Sequence, residues 1–420
     1  MSEIKPFVIP KALVWEAYRR VKANKGAAGV DGETIEDFDR DMSRNLYRIW
    51  NRMSSGSYFP PPVRAVPIPK KSGGERILGV PTVSDRIAQT VVTLVLEPVL
   101  EPVFHEDSYG YRRGKSAHDA LAVTRKRCWE RNWVLEYDIR GLFDNIDHAL
   151  LVKALRHHCD EKWILLLVER WLTAPMHGVE GTHGSRTVGT PQGGPLSPVL
   201  SNLFLHYALD HWLVKHHPSI PFCRYADDGI LHCTSEGEAK RMREHLDARL
   251  RECGLELHPE KTRVVYCKDS NRKGSYENVQ FDFLGYTFRP RLAQSRVGKR
   301  FTAFSPAMSR SAAKAIRQRV RRWRPSLRSD ASLEELASWY SPAIRGWIGY
   351  YCRFHRSVFG VIAKHIDAAL VRWAMRKYKR LRGHKKRARD WLTAKRRHYP
   401  TLFPHWVLAG TNTVGTMGAR

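Results

Sequence analysis

Residues 222–231, FCRYADDGIL, place two adjacent carboxylates at a turn between two short apolar runs. Short β-prone runs on either side of a tight turn predict a hairpin. At about 4 Å and an effective dielectric constant near 20, two carboxylates repel each other by roughly 4 kcal/mol. A fold that keeps Asp227 and Asp228 side by side therefore needs positive charge at this turn, and a bound cation is the usual source.

A third aspartate lies near the end of another β-rich run, residues 133–139 with the sequence WVLEYDI. If this strand and the hairpin lie side by side in one sheet, Asp138, Asp227 and Asp228 converge. Three carboxylates on rigid elements suit Mg²⁺, which binds carboxylates together with substrate phosphates. Two such ions, about 3.5–4 Å apart, can activate an attacking hydroxyl and stabilise a leaving oxygen in phosphoryl transfer, as in polymerases.

Aspartate also caps turns and helices without any metal, and this alternative applies to each of these residues. We prefer it for Asp144 and Asp147 in the sequence GLFDNIDH, which we expect to cap the next helix. For the adjacent pair at the hairpin turn, the metal interpretation is preferred because the two charges repel each other.

The pattern along the chain predicts a helix-rich start, a mixed α/β middle and a basic helical end. The run RIAQTVVTLVLEPVLEPVF has the spacing of a core helix, FDFLGYTF is predicted to be a strand, and the chain after about residue 300 is predicted to be helical. A length of 420 residues with 42% hydrophobic content is enough for two or three domains. No run of about 18 apolar residues is visible, so no membrane span is expected. The first residues lack a basic segment followed by an apolar one, so no secretory signal is expected. Seven scattered cysteines indicate free thiols in a reducing compartment, and we expect a cytoplasmic protein.

Positive charge is concentrated near the end of the chain. The chain has 71 Lys and Arg against 42 Asp and Glu, and residues 301–420 hold 26 of the former and 5 of the latter. Such an excess, mixed with Trp and Tyr, predicts a polyanionic partner. The alternative is a solvated basic face, which does not require so uneven a distribution. Four aromatic rings in this region can either stack on exposed bases or pack in a small core; they are Trp323, Trp373, Tyr378 and Trp391. Helical spacing favours the core for most of these Trp, and Trp347 is expected to be buried.

Eight sequence blocks occur in the order found in one known family. The chain resembles group II intron-encoded reverse transcriptases, also called maturases, from about residue 12 to about residue 406. It is similar to their short, endonuclease-lacking branch, often associated with group IIC introns, because no block of His, Asn and paired Cys follows residue 352. The blocks are RAVPIPKKSGGERILGVP, HEDSYGYRRGKSAHDAL, WVLEYDIRGLFDNIDH, GTPQGGPLSPVLSN, FCRYADDGIL, LELHPEKT, FDFLGYTF and WYSPAIRGWIGYY.

The resemblance implies an α+β fold of the right-hand polymerase type. Fingers and palm with an antiparallel sheet would be followed by an α-helical thumb or maturase domain and a small basic C-terminal region. The implied domains are N-terminal extension helices at 1–60, fingers and palm at 61–295, the thumb or maturase domain at 296–365, and a basic nucleic-acid-binding region at 366–420.

The resemblance also assigns residues to a nucleotide site. Asp138, Asp227 and Asp228 would be the catalytic residues and would hold two Mg²⁺ ions. Phe143 would form a bulky floor under the sugar, where a ring would clash with a 2′-hydroxyl. Gln192 would line the pocket, and Gly193 and Gly194 would permit close backbone approach. Two cations near a glycine-containing turn would reach the triphosphate, the alternative being a solvated hairpin tip; they are Lys70 and Arg76.

Further residues are implied to contact primer, template or intron. Leu284 and Gly285 would support the primer end, and Lys261 would either contact the primer backbone or pair with Glu260. The remaining implied contacts are basic. The template would be bound by Arg112, Arg113 and Lys115, and intron RNA or target DNA by Arg345, Lys385, Lys386, Arg387 and Arg389.

The implied function is that of an RNA-directed DNA polymerase encoded by a mobile group II intron. Such a protein binds its intron RNA to assist splicing and copies it into DNA at the target site, in the bacterial cytoplasm. Its partners would be intron RNA, target DNA, an RNA template with a DNA primer, and dNTPs. The alternatives are an RNA-binding splicing factor whose polymerase site is unused and a host-adapted reverse transcriptase.

Overall fold

The structure, a computed structural model, describes residues 5–69, 74–178, 181–182, 184, 186–295 and 297–410. The described residues form a mixed α/β protein whose strands pair mainly in an antiparallel manner. Among them, no helix is long and apolar enough to cross a membrane.

Helices make up most of the regular structure. A π-helical turn, His206–Asp210, joins two of them. The α-helices are α1 (Lys11–Ala23), α2 (Ile35–Asp39), α3 (Met42–Ser54), α4 (Val83–Leu100), α5 (Ala117–Glu130), α6 (Leu142–Asn145), α7 (His148–His158), α8 (Lys162–Leu172), α9 (Ser197–Leu205), α10 (His211–His216), α11 (Glu236–Glu252), α12 (Arg310–Trp323), α13 (Leu333–Tyr351), α14 (Gly360–Lys377), α15 (Lys385–His398) and α16 (Pro404–Gly410).

Side chains just before the helices explain where several of them begin. The hydroxyl of Thr82 accepts from the amide of Asp85 at the start of α4, and Ser309 does the same for Ala312 at the start of α12. At α13, the Ser332 hydroxyl and the Glu335 carboxylate each bond the other residue's amide. Each such cap satisfies backbone groups that the first turn of a helix leaves unpaired.

The strands form three sheets with the orders β2-β1-β4-β5, β11-β10-β9 and β6-β7-β3-β8. The third order puts the strand that ends at Asp138 beside the hairpin, which was the condition for three aspartates to converge. The strands are β1 (Val63–Pro69), β2 (Glu75–Val80), β3 (Trp133–Asp138), β4 (Met176–Gly178), β5 (Gly181–Thr182), β6 (Phe222–Tyr225), β7 (Asp228–Cys233), β8 (Arg263–Tyr266), β9 (Phe281–Phe283), β10 (Tyr286–Gln294) and β11 (Arg300–Met308).

Two strand predictions were wrong in detail. The run FDFLGYTF was predicted as one strand, but it is a tight hairpin of β9 and β10. Its turn residues Leu284 and Gly285 have φ angles of 50° and 77°, the left-handed conformation that two-residue hairpin turns require. The chain after residue 300 was predicted to be helical, but β11 pairs antiparallel with β10 along nine residues before α12 begins.

The described residues group into two compact units. The first takes those within 1–116, 137–229 and 240–262, and the second those within 117–136, 230–239 and 263–420. In the first unit, α4 is the core helix that its apolar pattern predicted, because Ile87, Val91 and Leu96 are completely buried. It packs against α1, α3 and α9. The predicted domain boundaries at 60, 295 and 365 stay predictions.

The second unit has a helical core built from α12 to α16. Trp373, Phe403 and Trp406 are among its buried members, and Trp323 and Trp391 pack partly buried against it. The prediction that most of Trp323, Trp373 and Trp391 pack in a small core is therefore confirmed. Trp347 differs from its prediction, because it is only partly buried and stacks on Trp323 with ring centroids 5.5 Å apart.

Candidate active site

The hairpin of β6 and β7 presents two carboxylates through a backbone conformation that its residues do not favour. Ala226 has a φ of 57°, in the left-handed region. For a residue other than glycine this costs on the order of 1–2 kcal/mol. Asp227 follows directly, and Asp228 begins β7. The turn therefore needs support from its surroundings.

The three predicted aspartates lie together in the first unit. Asp138 and Asp228 are close enough to share a hydrogen bond, and the charge of Asp227 acts on both. Burial, and then the hydrogen bond with Asp138 and the charge of Asp227, raise the pKa of Asp228 to about 8. Burial and the charge of Asp138 also raise the pKa of Asp227. The site thus holds its negative charge at an electrostatic cost.

A lysine supplies part of the missing positive charge. The Nζ of Lys261 lies 2.8 Å from Oδ2 of Asp138. Burial lowers the pKa of Lys261, but the hydrogen bond and charge of Asp138, together with the charges of Asp228 and Asp227, outweigh this effect and raise the pKa. This partner differs from Glu260, the protein partner considered for Lys261, and the contact with the primer backbone stays a prediction. One lysine does not balance three carboxylates.

The donor atoms here are the kind that a hard dication prefers. Carboxylate oxygens on strand ends are typical magnesium ligands. Among the described residues, no three His, Cys, Asp or Glu side chains are arranged to hold one ion together. In this arrangement Asp138 is instead paired with Lys261 and Asp228. The carboxylate oxygens and the net negative charge of these residues fit Mg²⁺, although Lys261 is paired with Oδ2 of Asp138 in this arrangement.

The segments that carry Phe143 and Gln192 are joined by backbone hydrogen bonds to each other and to β2. Phe143, half-buried in the short helix α6, accepts from the amide of Thr190 at 2.7 Å through its carbonyl. The carbonyl of Gln192 accepts from the amide of Gly79 at 2.7 Å. A Cβ at position 193 would lie 2.6 Å from the Gly79 carbonyl oxygen, so the glycine is needed for contact with β2.

The two predicted triphosphate contacts have different outcomes. Arg76 is an exposed residue on β2, opposite Ile68 in the sheet. Lys70 lies outside the described residues. Tyr111, which the sequence analysis did not single out, is a further candidate because the residue is 53% exposed and its backbone is left-handed. Burial and the charge of Asp227 raise its pKa, while Arg76 acts in the opposite direction, so this tyrosine lies within reach of both.

The predicted template contacts already have protein partners. Arg112 is buried within its own loop, where it pairs with Glu101 and donates to the carbonyls of His105 and Ser108. The expected contact with template phosphates would need an exposed guanidinium, whereas Arg112 is enclosed by protein groups. Local sequence did not reveal this, because Glu101 lies eleven positions upstream. Arg113 pairs with Glu97 at 2.9 Å while remaining 64% exposed. The ammonium of Lys115 donates to the carbonyl of Glu106.

The remaining predicted residues belong to the second unit. The carbonyl of Leu284 accepts from the Tyr350 hydroxyl at 2.8 Å, and that of Gly285 accepts from the Ser309 amide at 3.0 Å. Arg345 is an exposed residue of α13. Helix α15 buries Ala388 and Leu392 and exposes the predicted cations Lys385, Lys386, Arg387 and Arg389.

Arg224 is the residue that sequence reasoning missed most completely. Its side chain is fully buried under the hairpin turn and pairs with Asp210. It also donates to the carbonyl of Ala226, at the left-handed position. The only signal in the sequence was a cation within an otherwise apolar strand run, two residues before that turn.

Comparison with known proteins gives two family matches. Residues 68–288 match the family described as reverse transcriptase (RNA-dependent DNA polymerase). Residues 313–391 match the group II intron, maturase-specific domain. The first match covers about half of the chain.

Individual relatives agree with these matches. The chain is 34% identical over 213 residues to the group II intron-encoded protein LtrA of Lactococcus lactis subsp. cremoris, which is 50% of this chain and 35% of that protein. It is 30% identical over 329 residues to the protein YkfC of Escherichia coli strain K12, which is 67% of this chain and 82% of that protein. The match thus spans only about a third of the length of LtrA. With both domain matches in chain order, this chain belongs to the family of group II intron-encoded reverse transcriptases and maturases.

Proposed function

We propose that this chain is an RNA-directed DNA polymerase encoded by a mobile group II intron, and that it binds the intron RNA to assist splicing. It copies that RNA into DNA at the target site. The observation that carries the proposal is the group of Asp138, Asp227 and Asp228, held together in a chain that belongs to this family. A protein that only binds RNA has no use for carboxylates kept together against their repulsion.

Asp138, Asp227 and Asp228 would hold two Mg²⁺ ions. Bound there, the ions would supply activation of the primer hydroxyl and stabilisation of the leaving oxygen of the triphosphate. The support is the donor chemistry and the charge: Lys261 provides one positive charge against three carboxylates. The rest of the site binds and orients the nucleotide.

The chain's own residues select and place the incoming dNTP. Phe143 follows Asp138 by five positions, and its helix is fastened to the segment that carries Gln192, so the ring has a fixed position from which to exclude a 2′-hydroxyl. Arg76, exposed on β2, binds the triphosphate together with Lys70. Residues 61–295 form fingers and palm, 296–365 the thumb or maturase domain, and residues 1–60 an N-terminal extension.

The nucleic-acid partners are bound mainly through cations outside the carboxylate site. Helix α15, in the basic region 366–420, keeps its apolar residues buried and its cations exposed, so these charges are free to meet phosphates. Arg345, also exposed, on α13, contacts nucleic-acid phosphates in the same way. Near the primer and template, the contacts come from Arg113, Lys115 and the Leu284–Gly285 turn. Arg112 supports the template loop from within.

Two assays on the same preparation distinguish the candidate functions. In the first, the chain extends a DNA primer on an RNA template with Mg²⁺ and dNTPs. In the second, it accelerates splicing of a group II intron transcript at low Mg²⁺ concentration. Activity in both supports the proposal. Splicing assistance without any primer extension would favour a maturase with an unused polymerase site, and primer extension without intron binding would favour a host-adapted enzyme.

A further inference from the structure

A buried ion pair lies directly beneath the hairpin turn. The Nε of Arg224 lies 2.7 Å from Oδ1 of Asp210, and its Nη2 lies 2.5 Å from Oδ2. Neither side chain has any exposed surface. Asp210 ends the π-helical turn that follows α9. The pair is therefore bidentate, completely desolvated and fixed in direction.

The remaining nitrogen of Arg224 extends this pair into a network. Its Nη1 donates to Oδ1 of Asn202 at 3.1 Å and to the carbonyl of Ala226 at 3.2 Å. The Nδ2 of Asn202 donates in turn to the carbonyl of Gly110 at 2.8 Å. One guanidinium thus connects two helical residues, the left-handed turn and the segment 107–110.

Backbone contacts hold the same parts together. The amide of Arg224 donates to the carbonyl of Asp107, and the amide of Tyr109 donates to the carbonyl of Arg224, both at 2.9 Å. A Cβ at Gly110 would lie 2.4 Å from the nitrogen of Ala226. The turn therefore rests against a segment whose next residue is Tyr111, the ring near Asp227 and Arg76.

Stability alone does not account for an ion pair in this place. A well-packed apolar pair of similar volume is often as stable as a buried ion pair, whereas a bidentate pair fixes one geometry. What this geometry fixes is the carbonyl of Ala226, the residue with a φ of 57°. Nothing within the sequence of the turn itself favours that conformation.

We propose that Asp210, Arg224 and Asn202 form a positioning network that holds the Ala226–Asp227 turn in its left-handed conformation and in register with the segment 107–110. The network presents the Asp227 carboxylate to the metal and the nucleotide without touching either. This inference rests on the proposed polymerase function. It assigns a role to a cation that lies outside the carboxylate site.

Two variants test the network. Arg224→Lys keeps the charge but cannot pair in two directions and also reach Ala226. Asn202→Ala removes a neutral link between Arg224 and Gly110 and leaves the ion pair in place. The matched control is Arg272→Lys, because Arg272 also pairs with an aspartate, Asp269, and donates to backbone carbonyls away from the turn.

The readouts are chosen so that a purely structural role would leave them unchanged. At a temperature well below each variant's unfolding midpoint, both network variants should lower kcat at least tenfold and raise the half-saturating Mg²⁺ concentration several-fold. KM for dNTP and affinity for primer–template should change less than threefold. The two substitutions together should lower kcat by less than the product of their separate effects, because they act on one network. Arg272→Lys should match the parent.

Metal binding without chemistry separates failure of this inference from failure of the proposed function. Mn²⁺ titrated calorimetrically into the full chain should bind several-fold more weakly to Asn202→Ala than to the parent, whether or not the parent extends primers. If the parent extends primers and both folded variants keep its kcat, Mg²⁺ midpoint and Mn²⁺ affinity, the network is structural only. If the parent extends no primer and its Mn²⁺ affinity equals that of the variants, both proposals fail.

Discussion

Asp85 offers a quantitative test of how burial controls charge in this protein. It lies on α4 and is completely buried. Its Oδ1 accepts from the Tyr58 hydroxyl at 2.9 Å and from the Trp171 ring nitrogen at 2.7 Å, and its Oδ2 accepts from Gln89 at 3.0 Å. Burial is the largest effect and raises its pKa to about 6, although these three hydrogen bonds oppose the shift.

The direction of the stability change follows from this shift. The unfolded chain loses the proton near pH 3.9, whereas the folded protein keeps it up to about pH 6. The stabilisation from this group is therefore complete below about pH 4 and is lost as the pH rises through 6. A shift of about two pKa units corresponds to about 3 kcal/mol, of which about 2 kcal/mol falls between pH 4.5 and 7.5.

The perturbation is Asp85→Asn, which cannot ionise and keeps an oxygen for Tyr58 and Trp171. In urea denaturation, the free energy of unfolding of the variant minus that of the parent should be about 2 kcal/mol more favourable at pH 7.5 than at pH 4.5, because only the parent loses stability over this interval. Asp390→Asn, in which the exposed α15 carboxyl is neutralised, should show no such trend. A difference between Asp85→Asn and the parent that is the same at both pH values, or that changes in the opposite direction, would refute the reasoning.

Three further predictions concern the sugar, the basic helix and the hairpin. Phe143→Ala should lower the preference for dNTP over rNTP in primer extension, and an unchanged ratio would make the ring a packing residue only. Gly229→Ala should lower the free energy of unfolding in urea by about 1–3 kcal/mol, because a Cβ there would lie 2.1 Å from the Tyr137 side chain. The control Gly349→Ala in α13 has open space around it and should be neutral or stabilising by up to about 1 kcal/mol. Replacing four exposed cations with glutamine should weaken RNA binding and reduce the slope of log affinity against log salt concentration by about 0.7 for each single-strand phosphate that is no longer neutralised; these cations are Lys385, Lys386, Arg387 and Arg389. The fold and the extension of a pre-annealed primer should be largely kept. An unchanged slope would mean that RNA binds elsewhere on the chain.

Local patterns predicted the elements whose signals are complete within a short window. The hairpin of β6 and β7, the strand before Asp138 and the core helix α4 each carry their own periodicity, and the structure has all three. Asp147 accepts from the amide of Leu150 and caps α7, as its position before a helical pattern indicated. These predictions needed no knowledge of distant partners.

Distant partners and unusual backbone angles were not predictable in the same way. Leucine rarely adopts a positive φ, so the apolar run that contains Leu284 suggested one continuous strand, whereas Leu284 has a φ of 50°. Arg224 finds its partners 14 and 22 positions upstream, and no local pattern identifies them. Lys261 pairs with Asp138, 123 positions away, although a glutamate stands next to it in sequence.

The assignment of this chain to the endonuclease-lacking, group IIC-like branch and its location in the bacterial cytoplasm stay predictions. Neither bears on the proposed polymerase centre, which is supported by three aspartates in one place, by their unbalanced charge and by the family to which the chain belongs.

The most direct test of the central claim is single-nucleotide incorporation on an RNA template by the parent and by Asp227→Asn. The substitution removes one charge and keeps the shape of the side chain. We expect the parent to add a dNTP in the presence of Mg²⁺, and the variant to bind the same primer–template with parental affinity and add none. Incorporation by the folded variant at the parental rate would contradict the account, because the turn at Asp227 would then not be the polymerase centre.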